Sequence, residues 1–242
     1  MTNRLNYTHF AEDVQFRQQL TRYAELFDAP IRRRWDKYLR DADRLKSILS
    51  KALLYHALRR EYPNCTPANF VLRYDALGRP YIDQPGFDFN ISHSRDLIAC
   101  AVSYDGCIGI DVQSKADRNS FLRFGKAVAG LAPQMKTIDL EEWTSLEAAG
   151  KCAGSGLKDL KSVLDRKKEF VIRSVPIDRE FVCRIATRTS IDIHPERLNH
   201  QELTRSIDNQ IRESEKTRHH ANFSLPKTGH FAAPPATYAA GR

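Results

Sequence analysis

The sequence predicts an α+β protein of two similar lobes, each a helix packed on a small antiparallel sheet. Three observations carry that prediction. Residues 43–60 place Leu45, Ile48, Leu49, Ala52, Leu53 and Leu58 at helical spacing, and short β-rich runs between turn signals follow. The same order returns downstream, with a strong helix over 139–152 and three more β-rich segments. No apolar run approaches the roughly 18–20 residues that span a bilayer, so the chain is expected to fold in water.

Taken in order, residues 1–40 read as helical stretches without a clean opening cap. The amphipathic helix over 43–60 ends at Pro63 and Pro67. Phe70–Tyr74 reads as a strand, Asp75–Pro80 as a turn through Gly78, and Tyr81-Ile82 as a short extended piece. Phe87–His93 alternates apolar side chains. The runs 97–102 and 107–112 flank Tyr104-Asp105-Gly106, a D-G signal for a hairpin. Residues 121–130 look helical, and Gly154 and Gly156 close the helix over 139–152. The segments 169–175, 180–186 and 190–193 are β-rich. These boundaries divide the chain into a lobe over 1–113, a lobe over 114–198 and a tail over 199–242. Charge and then Pro, Ala and Gly dominate that tail, which is expected to lack fixed structure.

The chain has 242 residues, 41% hydrophobic and 28% charged, an ordinary globular balance. Its start, Met1-Thr-Asn-Arg-Leu-Asn, lacks the apolar centre of a secretion signal. Five scattered cysteines without C-x-x-C spacing read as reduced, mostly buried thiols of a cytoplasmic protein. The net charge of +8 draws anions in general, with many of the basic residues between Arg32 and Arg60. A charge run on a helix is usually only a solvated face, and sign alone does not choose a partner.

Two carboxylates stand out. Gly109-Ile110-Asp111-Val112-Gln113 ends the first lobe, and Trp143 to Lys151 carries Glu147 with Lys151 one helical turn beyond it. Carboxylates from two elements suit Mg²⁺, which takes one or two of them plus water and substrate phosphates. A lysine beside that ion suits a pyrophosphate, so the combination points to phosphoryl-group chemistry. Each residue also has a plainer role. Asp111 could cap a turn, Glu147 and Lys151 could be a surface helix pair, and Trp143 reads as a core anchor. Ser92-His93 lacks a G-x-S-x-G setting and its side chains point to opposite faces of a strand, which argues against a hydrolase. His219-His220 has no partners for a metal site.

Four motifs in order resemble the 4′-phosphopantetheinyl transferase superfamily. They are Gly78-Arg79-Pro80-Tyr81, Phe89-Asn-Ile-Ser92-His93-Ser, Gly109-Ile-Asp111-Val and Trp143-Thr-x-x-Glu147-Ala-x-x-Lys151-x-x-Gly-x-Gly156-Leu157. The closer branch looks like the larger, single-chain, pseudo-dimeric (Sfp-type) enzymes, and the likeness runs from about residue 40 to 193. The resemblance implies Mg²⁺-dependent transfer of the phosphopantetheine arm of coenzyme A to a serine of an acyl or peptidyl carrier protein, releasing adenosine 3′,5′-bisphosphate. It implies coenzyme A in a cleft between two lobes, and a monomer. Asp111 and Glu147 match the metal ligands, Lys151 the residue that meets the pyrophosphate, Ser92 and His93 those near the 3′-phosphate, and Arg79 a basic residue against the nucleotide. Glu147, or a water it orients on the metal, is the implied base.

Three departures are visible. Gln113 stands where many relatives carry a third acid, and an amide brings an oxygen ligand without charge. Leu146 stands where relatives often have lysine. For the arginine that contacts phosphate from the first-lobe helix, this chain offers only Lys51 and His56. Carrier proteins are typically acidic near the modified serine, which gives the Arg32–Lys51 region and the area of Arg123 and Lys126 a docking role. The alternatives are a relative that binds coenzyme A or carrier protein without catalysis, kept open by Gln113, and a basic nucleic-acid-binding module. The latter lacks zinc-finger, RNP-type and helix-turn-helix signatures.

Overall fold

Along Leu97–Ser103 and Phe181–Thr187, apolar side chains fall on both faces, so the sheets that hold these strands must be covered twice. The computed structural model describes residues 1–11, 13–117, 139–156 and 160–221, and meets that demand with a mixed α+β architecture. One sheet runs β4-β5-β1-β9, from strands β1 (Arg4–His9), β4 (Asp88–Ser94), β5 (Leu97–Ser103) and β9 (His194–Arg197). A second runs β6-β8-β7, from β6 (Ile108–Ser114), β7 (Val171–Ser174) and β8 (Phe181–Thr187). A short hairpin pairs β2 (Leu72–Tyr74) with β3 (Pro80–Ile82).

The strand alternation assigns every layer. Leu97, Ala99 and Ala101 of β5 join Leu5 and Tyr7 of β1, facing Ile108, Ile110 and Val112 of β6 and Phe181, Cys183 and Ile185 of β8. That apolar slab lies between the two sheets. The other face of β5, through Ile98, Cys100 and Val102, packs on α1 (Val14–Ala24), α3 (Asp41–Glu61) and α6 (His200–Ala221), with α2 (Ala29–Trp35) at their side. The other face of the second sheet carries α4 (Leu140–Ala153), whose Leu146, Ala148 and Ala149 are buried against Ala186, and α5 (Leu160–Asp165) beside it. Trp143 belongs to this core, as its spacing suggested.

The two sheets also meet along one seam. β4 and β6 are edge strands of different sheets, and β4 presents a polar residue at every second position toward β6. Asp88, Asn90, Ser92 and Ser94 accept the backbone amides of Ile108, Ile110, Val112 and Ser114 at 2.9, 3.1, 3.2 and 2.9 Å. Side chains thus stand in for a missing ladder partner, and the buried amides of β6 are satisfied.

Several expectations are corrected. The first residues form not helix but β1, inserted between β5 and β9 and buried along most of its length. The turn at Tyr104–Gly106 exists, with Gly106 at φ +106, yet β5 and β6 do not pair with each other. Asn3 accepts the Tyr104 amide and donates to Asp105, holding the turn onto the start of β1 while the chain crosses to the second sheet. The last β-rich segment does not complete a second meander: β9 runs parallel to β1 in the first sheet. Residues 200–221, expected to lack fixed structure, form α6, because Leu203, Ile207 and Ile211 recur at helical spacing and close the first core. The helix expected over 121–130, with Arg123 and Lys126, and the end of the tail lie outside the described residues. All five cysteines are free thiols and four are buried. Among the described residues no helix is long and apolar enough to cross a membrane.

Candidate active site

Asp139 caps the N-terminus of α4 by accepting the Glu142 amide at 2.7 Å, and Gly154, at φ +82, ends it. Between these caps, α4 lies directly on β6. A Cβ built on Gly109 would stand 2.0 Å from the Ala148 carbonyl oxygen and 2.5 Å from the Cys152 amide nitrogen. Only glycine permits that approach. It brings the α4-facing positions of β6, Asp111 and Gln113, under Glu147 and Lys151.

Asp111 is 2% exposed and ion-pairs with Lys151 at 2.6 Å. Lys151 also donates to the Ile110 carbonyl at 3.1 Å and approaches Ser92 Oγ at 3.3 Å. Ser92 donates to Asp111 Oδ1 at 2.8 Å. The Gln113 amide bridges the two acids: its Nε2 stands 3.0 Å from Asp111 Oδ2 and 3.2 Å from Glu147 Oε2. Burial first, then the charge of Asp111, pushes the Glu147 carboxyl up to about 8. Two acids crowded in a half-buried site are what a hard cation relieves.

Neither plain role survives this geometry. Asp111 lies within a buried strand, and Lys151 turns inward from the helix surface. Among the described residues no group of three or more His, Cys, Asp or Glu side chains is placed to hold a metal ion. The donors present are two carboxylates, a set that would suit Mg²⁺, an ion that needs only one or two of them from a protein. Turning the Gln113 amide over would offer a third oxygen.

A groove begins at Lys151. Its near part, about 300 Å³, is lined by Arg79, Asn90, Lys151 and Gly154–Gly156. Its far part, about 480 Å³, is lined by Arg34, Lys37, Lys51, Tyr74 and His93. Gly78, Pro80 and Ile91 line both, so the two parts adjoin. A larger cavity of about 640 Å³ between α1 and α6 shares no lining residue with this groove.

The groove sorts the remaining expected residues. Lys51 is buried at its floor, bonded only weakly to Ser47 and Ser50, and burial pulls its ammonium down to about 8. His93 lines the same cavity. Ser92, its neighbour in β4, faces the opposite way and holds Asp111, so the structure separates this pair. Arg79 borders the groove with its guanidinium engaged by Asp88 at 2.6 Å, the Lys151 carbonyl at 2.8 Å and the Ile108 carbonyl at 3.2 Å. His56 bonds Ser206 of α6 and does not line the groove, which leaves Lys51 as the α3 cation in it. Leu146 is wholly buried in the α4 core.

Sequence reading found the alternation of β4 but missed the role of its polar side, Asp88, Asn90, Ser92 and Ser94, as acceptors for the β6 amides. It also missed Arg34 as a groove residue. That guanidinium stacks 3.9 Å over the Tyr74 ring, a contact between α2 and β2 that spacing does not reveal.

No family model matches the chain. It is similar to the 4′-phosphopantetheinyl transferase HetI of Nostoc sp., at 30% identity over 116 residues, covering 42% of this chain and 49% of the relative. It is also similar to slr0495 of Synechocystis sp., whose name assigns the same activity provisionally, at 25% identity over 150 residues, covering 56% of this chain and 60% of the relative. The chain thus spans about half the length of the first relative and three-fifths of the second. Both similarities bear out the resemblance to the 4′-phosphopantetheinyl transferase superfamily read from the motifs; they do not distinguish its branches.

Proposed function

We propose, taking the 4′-phosphopantetheinyl transferase superfamily as the premise, that this protein moves the 4′-phosphopantetheine arm of coenzyme A onto a serine of an acyl or peptidyl carrier protein. The observation that carries the reading is the convergence of Asp111 from β6 and Glu147 from α4 on one Gln113 amide, with Lys151 against Asp111 and a basic groove beside them. The two helix-on-sheet units are read as the lobes of an Sfp-type pseudo-dimer acting as a cytoplasmic monomer.

Asp111 and Glu147, with Gln113 beside them, are the residues that would hold Mg²⁺, which when bound supplies neutralisation of the pyrophosphate charge. The chain's own residues do the rest. The Lys151 ammonium meets the pyrophosphate and stabilises the leaving phosphate oxygen. Arg79 holds the C-terminal end of α4 to β6 by its bonds to the Lys151 and Ile108 carbonyls, and so keeps Lys151 in register. Lys51, His93, Arg34 and Lys37 offer cationic and hydrogen-bonding groups to the nucleotide end of coenzyme A. Glu147 is the assigned acceptor for the serine proton. The serine oxygen attacks the phosphorus nearer the pantetheine, the bond to the bridging oxygen breaks, and adenosine 3′,5′-bisphosphate leaves. Positioning and charge are most of what this chemistry asks of a protein. The exposed basic residues from Arg32 to Arg40 are read as the surface that meets an acidic carrier, whereas Lys51, at the end of that stretch, is buried and faces the groove.

A second reading is favoured by Gln113 itself. Its amide already joins the two acids, so a relative that binds coenzyme A or carrier protein without catalysis is consistent with the site. Incubation with coenzyme A, Mg²⁺ and a panel of apo-carrier proteins separates the two. The transferase adds the mass of the arm to at least one carrier. No gain on any carrier, with coenzyme A still bound, leaves the binding reading in place.

A further inference from the structure

Behind the site, the last turn of α4 sets Cys152 against Cys107, which immediately precedes β6. Their Sγ atoms are 2.9 Å apart, about 0.9 Å longer than the roughly 2.05 Å of a disulfide. The two thiols differ in surroundings. Cys107 is half-buried, with Arg188 and Asp88 as its charged neighbours, whereas Cys152 is 4% exposed. The hydrogen bond with Cys152, and then Arg188 against the opposing effect of burial, pulls the Cys107 thiol down to about 6, while that bond and burial push Cys152 up. A half-buried thiol with an arginine beside it, in contact with a buried thiol, is the division needed between an attacking and a resolving cysteine. Cys65, Cys100 and Cys183 are buried, and burial holds each thiol high, at about 12.

We propose that Cys107 and Cys152 form a reversible redox site for small peroxides, with Cys107 attacking, Cys152 resolving, and the resulting disulfide stapling α4 to β6. The Cys107 thiolate attacks one peroxide oxygen, the O–O bond breaks, and hydroxide leaves, so Cys107 becomes a sulfenic acid. The Cys152 sulfur then attacks Cys107 Sγ. The S–O bond breaks, and its oxygen leaves as water with the Cys152 proton. Two electrons have passed from the sulfurs to the peroxide, and a dithiol reductant returns them.

The position gives this bond a consequence. It closes a 45-residue span that contains Asp111, Gln113, Glu147 and Lys151. It also lies parallel to the non-covalent tie that Arg79 makes between the Lys151 and Ile108 carbonyls. Oxidation therefore clamps the two elements that carry the site. The inference stands on the cysteine geometry and is independent of the transfer reading.

The test treats the full-length protein with stoichiometric hydrogen peroxide, alkylates it in denaturant and maps the peptides by mass spectrometry. The expected result is a linked Cys107–Cys152 peptide, two hydrogens lighter than the pair, reversed by dithiothreitol, with the other three cysteines alkylated. The oxidised protein unfolds several degrees higher than the reduced one. In Cys152→Ser, Cys107 stops at the sulfenic acid and is captured by a dimedone probe. In Cys107→Ser, Cys152 stays unmodified. Failure to form the link in wild type, over-oxidation of Cys107 to sulfinic acid in its place, or earlier oxidation of Cys65, Cys100 or Cys183 overturns the proposal.

Discussion

The backbone of Gly109 touches the backbone of Ala148 closely enough that one added methyl would stand 2.0 Å from a carbonyl oxygen. Helix α4 and strand β6 are therefore set at a distance that no other residue at 109 allows, and the separation of Asp111 from Glu147 follows from it. Gly109→Ala must push α4 away through contacts with backbone, which cannot yield as a side-chain tip can. The expected loss is at least about 3 kcal/mol of unfolding free energy, at the upper end for overpacking, read by denaturant unfolding. An unchanged midpoint contradicts the packing described.

Asp111 is the acid with least freedom to move. Asp111→Asn keeps its shape and removes the charge that faces Lys151. Transfer activity is expected to fall by at least about 100-fold, with circular dichroism unchanged. Retained turnover in both Asp111→Asn and Glu147→Ala removes the assignment of these two acids.

Gln113 answers a different question. Gln113→Glu places a third carboxylate where an amide now donates to two. Without divalent ions the variant is expected to be less stable by about 1 kcal/mol from like-charge crowding. With Mg²⁺ or Mn²⁺ it is expected to bind the ion more tightly than wild type. Thermal unfolding in chelator and in excess Mg²⁺, with calorimetry for the affinity, checks both signs.

Lys51 ties stability to pH. Its ammonium is pulled down to about 8 in the fold against an ordinary 10.5. The unfolded chain therefore holds more protons between those values, and this group's contribution to stability rises with pH across that window. The gain is up to about 3 kcal/mol. Buried thiols oppose the trend in the same range, since Cys65, Cys100 and Cys183 are held at about 12 against an ordinary 9.0, and buried Tyr23 and Tyr55 oppose it above. The Lys51 contribution is therefore read between pH 8 and 9.5 as the difference in slope between wild type and a Lys51 variant. Lys51→Met is expected to make the slope less positive than in wild type and to weaken binding of adenosine 3′,5′-bisphosphate. A slope identical to wild type sinks the assignment.

The seam between the sheets is testable at Asn90. Asn90→Ala leaves the buried Ile110 amide without its acceptor, at a cost of about 1–3 kcal/mol. Asn90→Asp keeps an oxygen there. Hydrogen exchange at Ile110 is expected to accelerate in the first variant and stay slow in the second.

How much of this was legible beforehand differs by element. Helices α3 and α4 were, because their apolar side chains recur at helical spacing and α4 carries Asp139 and Gly154 as caps. Asp111 and Glu147, the acids of the candidate site, stand out in the sequence too, as does Lys151 one turn after Glu147, and the structure brings the three together. β1 was not legible: Leu5 and Tyr7 alternate with polar residues, but the run is only six residues long and its polar Asn6 and Thr8 are buried too, as their place between β5 and β9 requires. The tail misled by composition: α6 is polar overall, and its few apolar residues count only once a core exists to receive them.

By itself, the order of residues determined local periodicity, caps, turns and which side chains carry chemistry, because those depend on neighbours within a few positions. The tertiary structure alone decided that β5 and β6 enter different sheets and that β9 returns beside β1. It also decided that Ser92 serves Asp111 while His93 faces Lys51's cavity. Those outcomes rest on edge pairing and backbone approach between residues far apart in the chain. The free energy of such contacts exists only when both partners are already in place.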